Sequence, residues 1–166
     1  MKAKAAIIAV IVAVIIIGSL GYYFLVPGNS TAKIEVADQP VGNVSAVFIT
    51  FTNISLHGNT SGWKNYTLPS KTVNILGVTT TNASLIGTIT LSPQKYTMMR
   101  IYIQNVTVVV AGIHVNLRLA SSFGFINHPF NISAHSSSDI IIEFNLQSDI
   151  NLSSGIFTPS IGIFVS

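Results

Sequence analysis

The sequence predicts an all-β chain, a mainly antiparallel β-sandwich preceded by a single N-terminal hydrophobic helix. Three observations predict it. The one long apolar run is Ala5 to Val26. From Ala32 onward, short stretches rich in β-branched residues, Asn, Ser and Thr alternate with turn residues, and no stretch keeps a 3.6-residue period. There is no cysteine, so disulfides, thiolate metal sites and cysteine nucleophiles are excluded. An exported domain of this kind must be held by packing, by sheet hydrogen bonds or by its neighbours.

The elements follow in order. Met1-Lys2-Ala3-Lys4 leads into the 22-residue run. As a helix it would extend about 33 Å, enough for a bilayer core of about 30 Å. The run exceeds a usual signal-peptide core. Lys2 and Lys4 favour a cytoplasmic N-terminus, which places the rest of the chain outside, and Tyr22 and Tyr23 sit where interfacial aromatics belong. The expected organisation is a cytoplasmic tip and transmembrane or signal segment over 1–27, a short linker over 28–31, and an extracytoplasmic sandwich over 32–166. Two other fates for the run stay open. Cleavage after Gly21 would make it a secretory signal. Lys4-Ala5-Ala6-Ile7 resembles the site cut by archaeal prepilin peptidases, which would make the helix a filament core.

Beyond the breaker Pro27-Gly28-Asn29-Ser30, strands are expected at 32–37, 44–57, 63–68, 71–76, 87–91, 95–104, 106–110, 113–119, 128–133, 138–146 and 156–165. In 44–57, Val47, Ile49 and Phe51 share one face, whereas Ile54 and Leu56 have the opposite parity. One extra residue near Thr52-Asn53 keeps all five inward, which predicts a β-bulge. The same slip separates Ile101 and Ile103 from Val106, Val108 and Val110. Ala111-Gly112 suits a tight hairpin. A helical turn fits best between Thr79 and Leu85.

Charged residues are only 8% of the chain, with eight bases and five acids, against about 25% in ordinary soluble proteins. The bases do not cluster, so no nucleic-acid footprint is present. Few carboxylates means few groups whose protonation weakens the fold, which reads as adaptation to an acidic exterior. Asn-x-Ser/Thr occurs at Asn29, Asn43, Asn53, Asn59, Asn65, Asn82, Asn105, Asn131 and Asn151, nine of thirteen asparagines. These are candidate N-glycan acceptors on an exported surface.

No catalytic constellation emerges. His57, His114, His128 and His135 lack metal-ligand spacing. Asp139, Glu143 and Asp149 are too sparse for a recognisable calcium loop. There is no Gly-x-Ser-x-Gly elbow and no glycine-rich phosphate loop. Only a cleft gathering Asp38, Glu143 and Asp149 would suggest acid–base chemistry. Trp63, Tyr66, Tyr96 and Tyr102 could line a carbohydrate site or simply pack. Arg100 and Arg118, set among apolar residues in strands, could pair with Glu143 or Glu35 as a structural contact. The expectation is therefore no catalytic residue, no metal and no cofactor.

Val36-Ala37-Asp38-Gln39-Pro40-Val41 with Val44-Ser45-Ala46-Val47 resembles the opening of the domain of unknown function 4382 family. Ile54-Ser55-Leu56-His57, Gly62-Trp63, Val73-Asn74-Ile75-Leu76, Leu91-Ser92-Pro93, Tyr96-Thr97-Met98-Met99-Arg100-Ile101, His128-Pro129-Phe130, Glu143-Phe144-Asn145-Leu146 and Pro159 continue it. The likeness covers about residues 34–165. Asn74 and Asn145 stand where the family usually carries Asp, and Gln94-Lys95 replaces an Ala-Gly turn. The resemblance implies an exported archaeal or bacterial β-sandwich of no established activity.

The expected function is a non-enzymatic cell-surface protein, membrane-anchored through residues 5–26, glycosylated, and acting in surface structure, adhesion or protein–protein assembly. One alternative is a filament subunit, either by prepilin-type helix packing or by segment 29–37 completing a neighbour's sheet. Another is a glycan- or solute-binding module.

Overall fold

The structure is a computed structural model that describes residues 2–25, 28–38 and 42–166. Val26 and Pro27, at the outer end of the expected span, and Gln39-Pro40-Val41 of the family-like motif lie outside the described residues.

Helix α1 runs Lys2–Leu25. Among the described residues no helix is long and apolar enough to cross a membrane. The structure therefore does not support the expected crossing by residues 5–26.

The remainder is β-rich. Strands β1 (Ser30–Asp38), β2 (Ala46–Gly58), β3 (Gly62–Asn74), β4 (Ser84–Leu91), β5 (Gln94–Val110), β6 (Ile113–Leu119), β7 (Phe123–Ile132) and β8 (Ser137–Phe144) precede the short helix α2 (Leu146–Asp149). Then come β9 (Ile150–Asn151), β10 (Ile156–Phe157) and β11 (Ile161–Val165). A four-stranded sheet has the order β11-β8-β1-β4. A seven-stranded sheet has the order β3-β2-β5-β6-β10-β9, with β7 also paired to β5. Pairing is antiparallel except for β1 with β8 and β6 with β10. The mainly antiparallel all-β expectation holds, with mixed sheets as the refinement.

The inner faces meet in one apolar core. Ile34 and Val36 of β1, Ile140 and Ile142 of β8, Ile49 and Phe51 of β2, and Ile101 and Val106 of β5 are all buried. Strand alternation puts these residues on one side and polar neighbours on the other. Phe51 meets Phe144 at 5.8 Å between ring centroids, and Phe144 meets Phe157 at 6.5 Å. Aromatic contacts thus tie the two sheets together.

Both expected bulges are present, and they face each other. Phe51 pairs with Ile103, Thr50 with Asn105 and Asn53 with Tyr102. Thr52 and Gln104 are therefore the extra residues, and Ile54 and Leu56 return to the core. A bulge lets a long strand bend while keeping its apolar residues inward. This is why the expected strands 95–104 and 106–110 form one continuous strand. Strands 63–68 and 71–76 likewise merge into β3, an edge strand in which Pro69 costs no ladder bond on its open side.

Ala111 (φ 49°) and Gly112 (φ 81°) join β5 to β6, the two positive-φ residues that a type I′ hairpin requires. The helical turn expected after Thr79 is a single 3₁₀ turn at Thr80–Asn82. Strand β7 begins five residues earlier than expected. The expected final strand is split by Thr158-Pro159-Ser160 into β10 and β11.

Strand β1 is paired on both sides, antiparallel to β4 and parallel to β8. A segment donated to a neighbour would leave its own sheet, so this pairing counts against strand donation by residues 29–37.

Candidate functional site

The outer face of the seven-stranded sheet carries the most distinctive group of side chains. Register sets Asn65 of β3, Ser55 of β2, Arg100 of β5 and Phe125 of β7 in one row. His57 pairs with Trp63 and Met98 one step along, and Tyr102 pairs with Phe123 on the other side. Alternation turns all of these away from the core.

The Arg100 guanidinium lies 4.2 Å from the centroid of Trp63, 5.3 Å from Phe123 and 6.0 Å from Phe125. Cation–π attraction holds it over these rings. Its Nε is buried with no hydrogen-bond partner among the described residues. Trp63 is nevertheless 38% exposed and Phe125 46% exposed. The His57 ring meets Trp63 edge-on at 5.3 Å, and its Nδ1 lies 2.9 Å from the Thr97 hydroxyl. Beneath, Ser55 is buried and donates to the Asn65 side-chain oxygen at 2.5 Å. The result is a flat aromatic platform around one cation, built on rigid strands.

The four aromatic residues singled out in sequence divide. Trp63 and Tyr102 join the platform. Tyr96 is buried against Phe130 and donates to the Ser92 carbonyl at 3.0 Å. Burial first, then the neighbouring Tyr96, pushes the Tyr66 phenol up to about 12. Sequence reasoning missed Arg100, Phe123 and Phe125 as platform members. The alternation Phe123-x-Phe125 was the available signal, weakened by Gly124 between them.

The pairing of Arg100 and Arg118 with Glu143 or Glu35 that the sequence allows does not occur. Arg100 and Arg118 belong to β5 and β6 of the larger sheet, whereas Glu35 and Glu143 belong to β1 and β8 of the smaller one. Among the described residues the ion pair is Lys33 with Asp139, at 3.3 Å.

Register sets Asp38 opposite Phe144, beside Glu143, and Asp149 follows in α2, so all three lie toward one end of the smaller sheet. Yet no three His, Asp or Glu among the described residues could hold a metal. Glu143 borders a shallow cleft of about 270 Å³ with Asn145, Ser160 and Gly162. Asp149 is only 1% exposed. Its Oδ1 accepts from the Ser160 N–H at 3.0 Å, from the Ser160 hydroxyl and from the Ser148 hydroxyl at 3.4 Å. Its Oδ2 is buried without a partner among the described residues. Burial raises its pKa above the usual carboxylate value, and the serine donors offset that only in part. Of the histidines, His114 stacks on Phe48 and His128 is exposed. His135 occupies a turn with φ 55°.

Eight of the nine sequon asparagines are exposed, and Asn53 is half-buried. Asn53, Asn65, Asn105, Asn131 and Asn151 lie in strands of the larger sheet, while the four strands of the smaller sheet carry none. Asn43 and Asn151 border a second cleft, of about 470 Å³, with Ser148 and Leu152. None of the platform aromatics lines either cleft.

Fold and platform together define a β-sandwich module with an exposed aromatic face. The chain belongs to the family described as a domain of unknown function (DUF4382), whose pattern matches residues 29–159. Two solved structures are similar. One is described as a candidate cell adhesion protein from Bacteroides eggerthii, with 12% identity and a TM-score of 0.34; the match covers 83% of this chain and 54% of that one. The other is a fimbrial protein from Bacteroides vulgatus, with 9% identity and a TM-score of 0.38, covering 84% and 54%. The chain thus spans about half the length of each. No curated relative matches the chain.

Proposed function

We propose that this chain is a non-enzymatic cell-surface protein whose β-sandwich domain works by protein–protein contact, in surface structure or adhesion. The observation that carries the reading is the platform of Trp63, Arg100, Phe123 and Phe125. Aromatic residues and arginine are the types that anchor protein interfaces. Here they are displayed on a flat sheet face, away from both clefts. An arginine held over three rings is ordered in advance for an incoming acceptor, which lowers the ordering cost of binding. In this reading the apolar stretch 5–26 holds the domain at a membrane, and the exposed sequons outside the platform carry sugar. The acids bind no cofactor and perform no chemistry.

The test replaces Trp63 and Phe125 by alanine in the native host and measures cell aggregation and surface attachment. The expected result is a loss of attachment with the domain's thermal stability lowered by no more than about 1 kcal/mol, since both side chains are substantially solvated. Attachment equal to that of the unaltered strain, with both variants present at normal levels, would rule the platform out as the working surface.

A further inference from the structure

The charges of the domain are divided between its two sheets. The four-stranded sheet holds Glu35, Asp38, Asp139 and Glu143 against a single base, Lys33. The seven-stranded sheet holds Lys64, Lys71, Lys95, Arg100 and Arg118 and no acid. Asp38 is buried, so the outer face of the smaller sheet carries Glu35, Asp139 and Glu143 against Lys33, while the larger sheet carries bases alone.

Each face also presents unmatched groups. On the smaller sheet, register aligns Leu85, Glu35, Ile141 and Phe164 in a row across all four strands. Phe164 is 51% exposed. Glu143, half-buried, pairs with Gly162 beside that row, and its Oε2 lies over the glycine, 3.7 Å from where a side chain would begin. Neither Glu35 nor Glu143 forms an ion pair among the described residues. On the larger sheet, Arg100 has no carboxylate partner among the described residues and is ringed by Trp63, Phe123 and Phe125.

We propose that the acidic face of one copy of this chain docks on the aromatic–arginine face of a second copy. Glu143 and Glu35 would approach Arg100, and Phe164 would lie against the rings. The occupant of each face is then a second copy, because each face offers what the other lacks. The contact is heterologous: it leaves one face free on each copy, so it propagates into a stack instead of closing as a dimer. Two like faces cannot meet, since unpaired charges of one sign would oppose each other. The smaller sheet's freedom from sequons keeps its face bare. On the other face, Asn65 beside Arg100 is engaged by Ser55, and a glycan there would bar the approach.

This inference deepens the surface-assembly reading and rests on it. Its test uses the full chain in detergent, with sedimentation velocity over a range of protein and salt concentrations. Wild type is expected to associate beyond dimer and to dissociate as salt rises from about 50 mM to about 500 mM, where charge attraction is screened. Arg100→Glu alone and Glu143→Lys alone should each weaken association about tenfold or more, as expected for a lost interfacial charge pair. Mixing the two variants should restore it, because each supplies the face the other needs; association driven by α1 would not distinguish the mixture from its parts. If Arg100→Glu fails to fold, Glu35→Lys with Glu143→Lys, both at half-buried positions of the outer face, should abolish association by themselves. A wild-type chain that stays monomeric, variants that associate as wild type does, or native protein bearing sugar on Asn65 would each overturn stacking. A monomeric chain still found at the cell surface would leave the surface reading standing.

Discussion

Asp149 shows how one residue can set a pH response. Burial of its carboxylate raises the folded-state pKa above the ordinary value of 3.8. The folded protein then holds this proton more tightly than the unfolded chain. Stability contributed by the protonated form is fully present below about 3.8 and is lost as pH rises through the folded value. The melting temperature of the wild type should therefore increase as pH falls from neutral toward about 4. Asp149→Asn keeps an oxygen for Ser160 and removes the charge, so its melting temperature should depend less on pH in that window. Equal slopes for the two proteins would show that Asp149 carries no such burden. The mechanism, one carboxylate buried behind Ser160, could not be seen in the sequence, because the loop over 145–160 brings these residues together. Two other residues were partly legible. The resemblance read from the sequence sets Asn74 and Asn145 at positions where it implies Asp. Asn74 accepts from the backbone N–H of Val47 at 3.0 Å, and Asn145 caps α2 through Ser148. A neutral oxygen suffices for both tasks, so the charge could be dropped without losing the turn.

At the scale of elements, parity was the informative signal. The mismatch between Phe51 and Ile54 located one bulge, and that between Ile103 and Val106 the other. Deleting Thr52 would reverse the facing of Ile54 and Leu56, or force the rest of β2 out of register. Loss of each buried aliphatic side chain costs about 2–5 kcal/mol, against a total stability of about 5–15 kcal/mol. The deletion variant should show no cooperative thermal transition, while a melt within a few degrees of wild type would contradict the facing-bulge account. Other elements were less legible. The start of β7 was hidden by Gly124, which breaks a strand pattern. In the fold a side chain there would meet Ile161 at 2.9 Å, so glycine is required by the passage of β11. The parallel pairing of β1 with β8 left no local trace, because strand neighbours distant in sequence are not encoded by alternation.

For the molecule as a whole, the core and the charge division carry the account. Phe144 contacts Phe51 and Phe157, joining the smaller sheet to β2 and β10 of the larger one. Phe144→Ala should lower unfolding free energy by about 3–5 kcal/mol, measured by chemical denaturation; a loss under about 1 kcal/mol would mean the aromatic bridge does not hold the sheets. The sequence revealed few acids but not that four of the five would fall on the smaller sheet. That placement appears only once strand order places β1 beside β8. The central proposal remains an outward-facing domain that works by contact at the cell surface. Its most direct test is labelling of unbroken cells with a membrane-impermeant amine reagent, followed by mass spectrometry of the exposed Lys64 and Lys95. The proposal predicts that both are modified before lysis. Modification only after the cells are broken would contradict it.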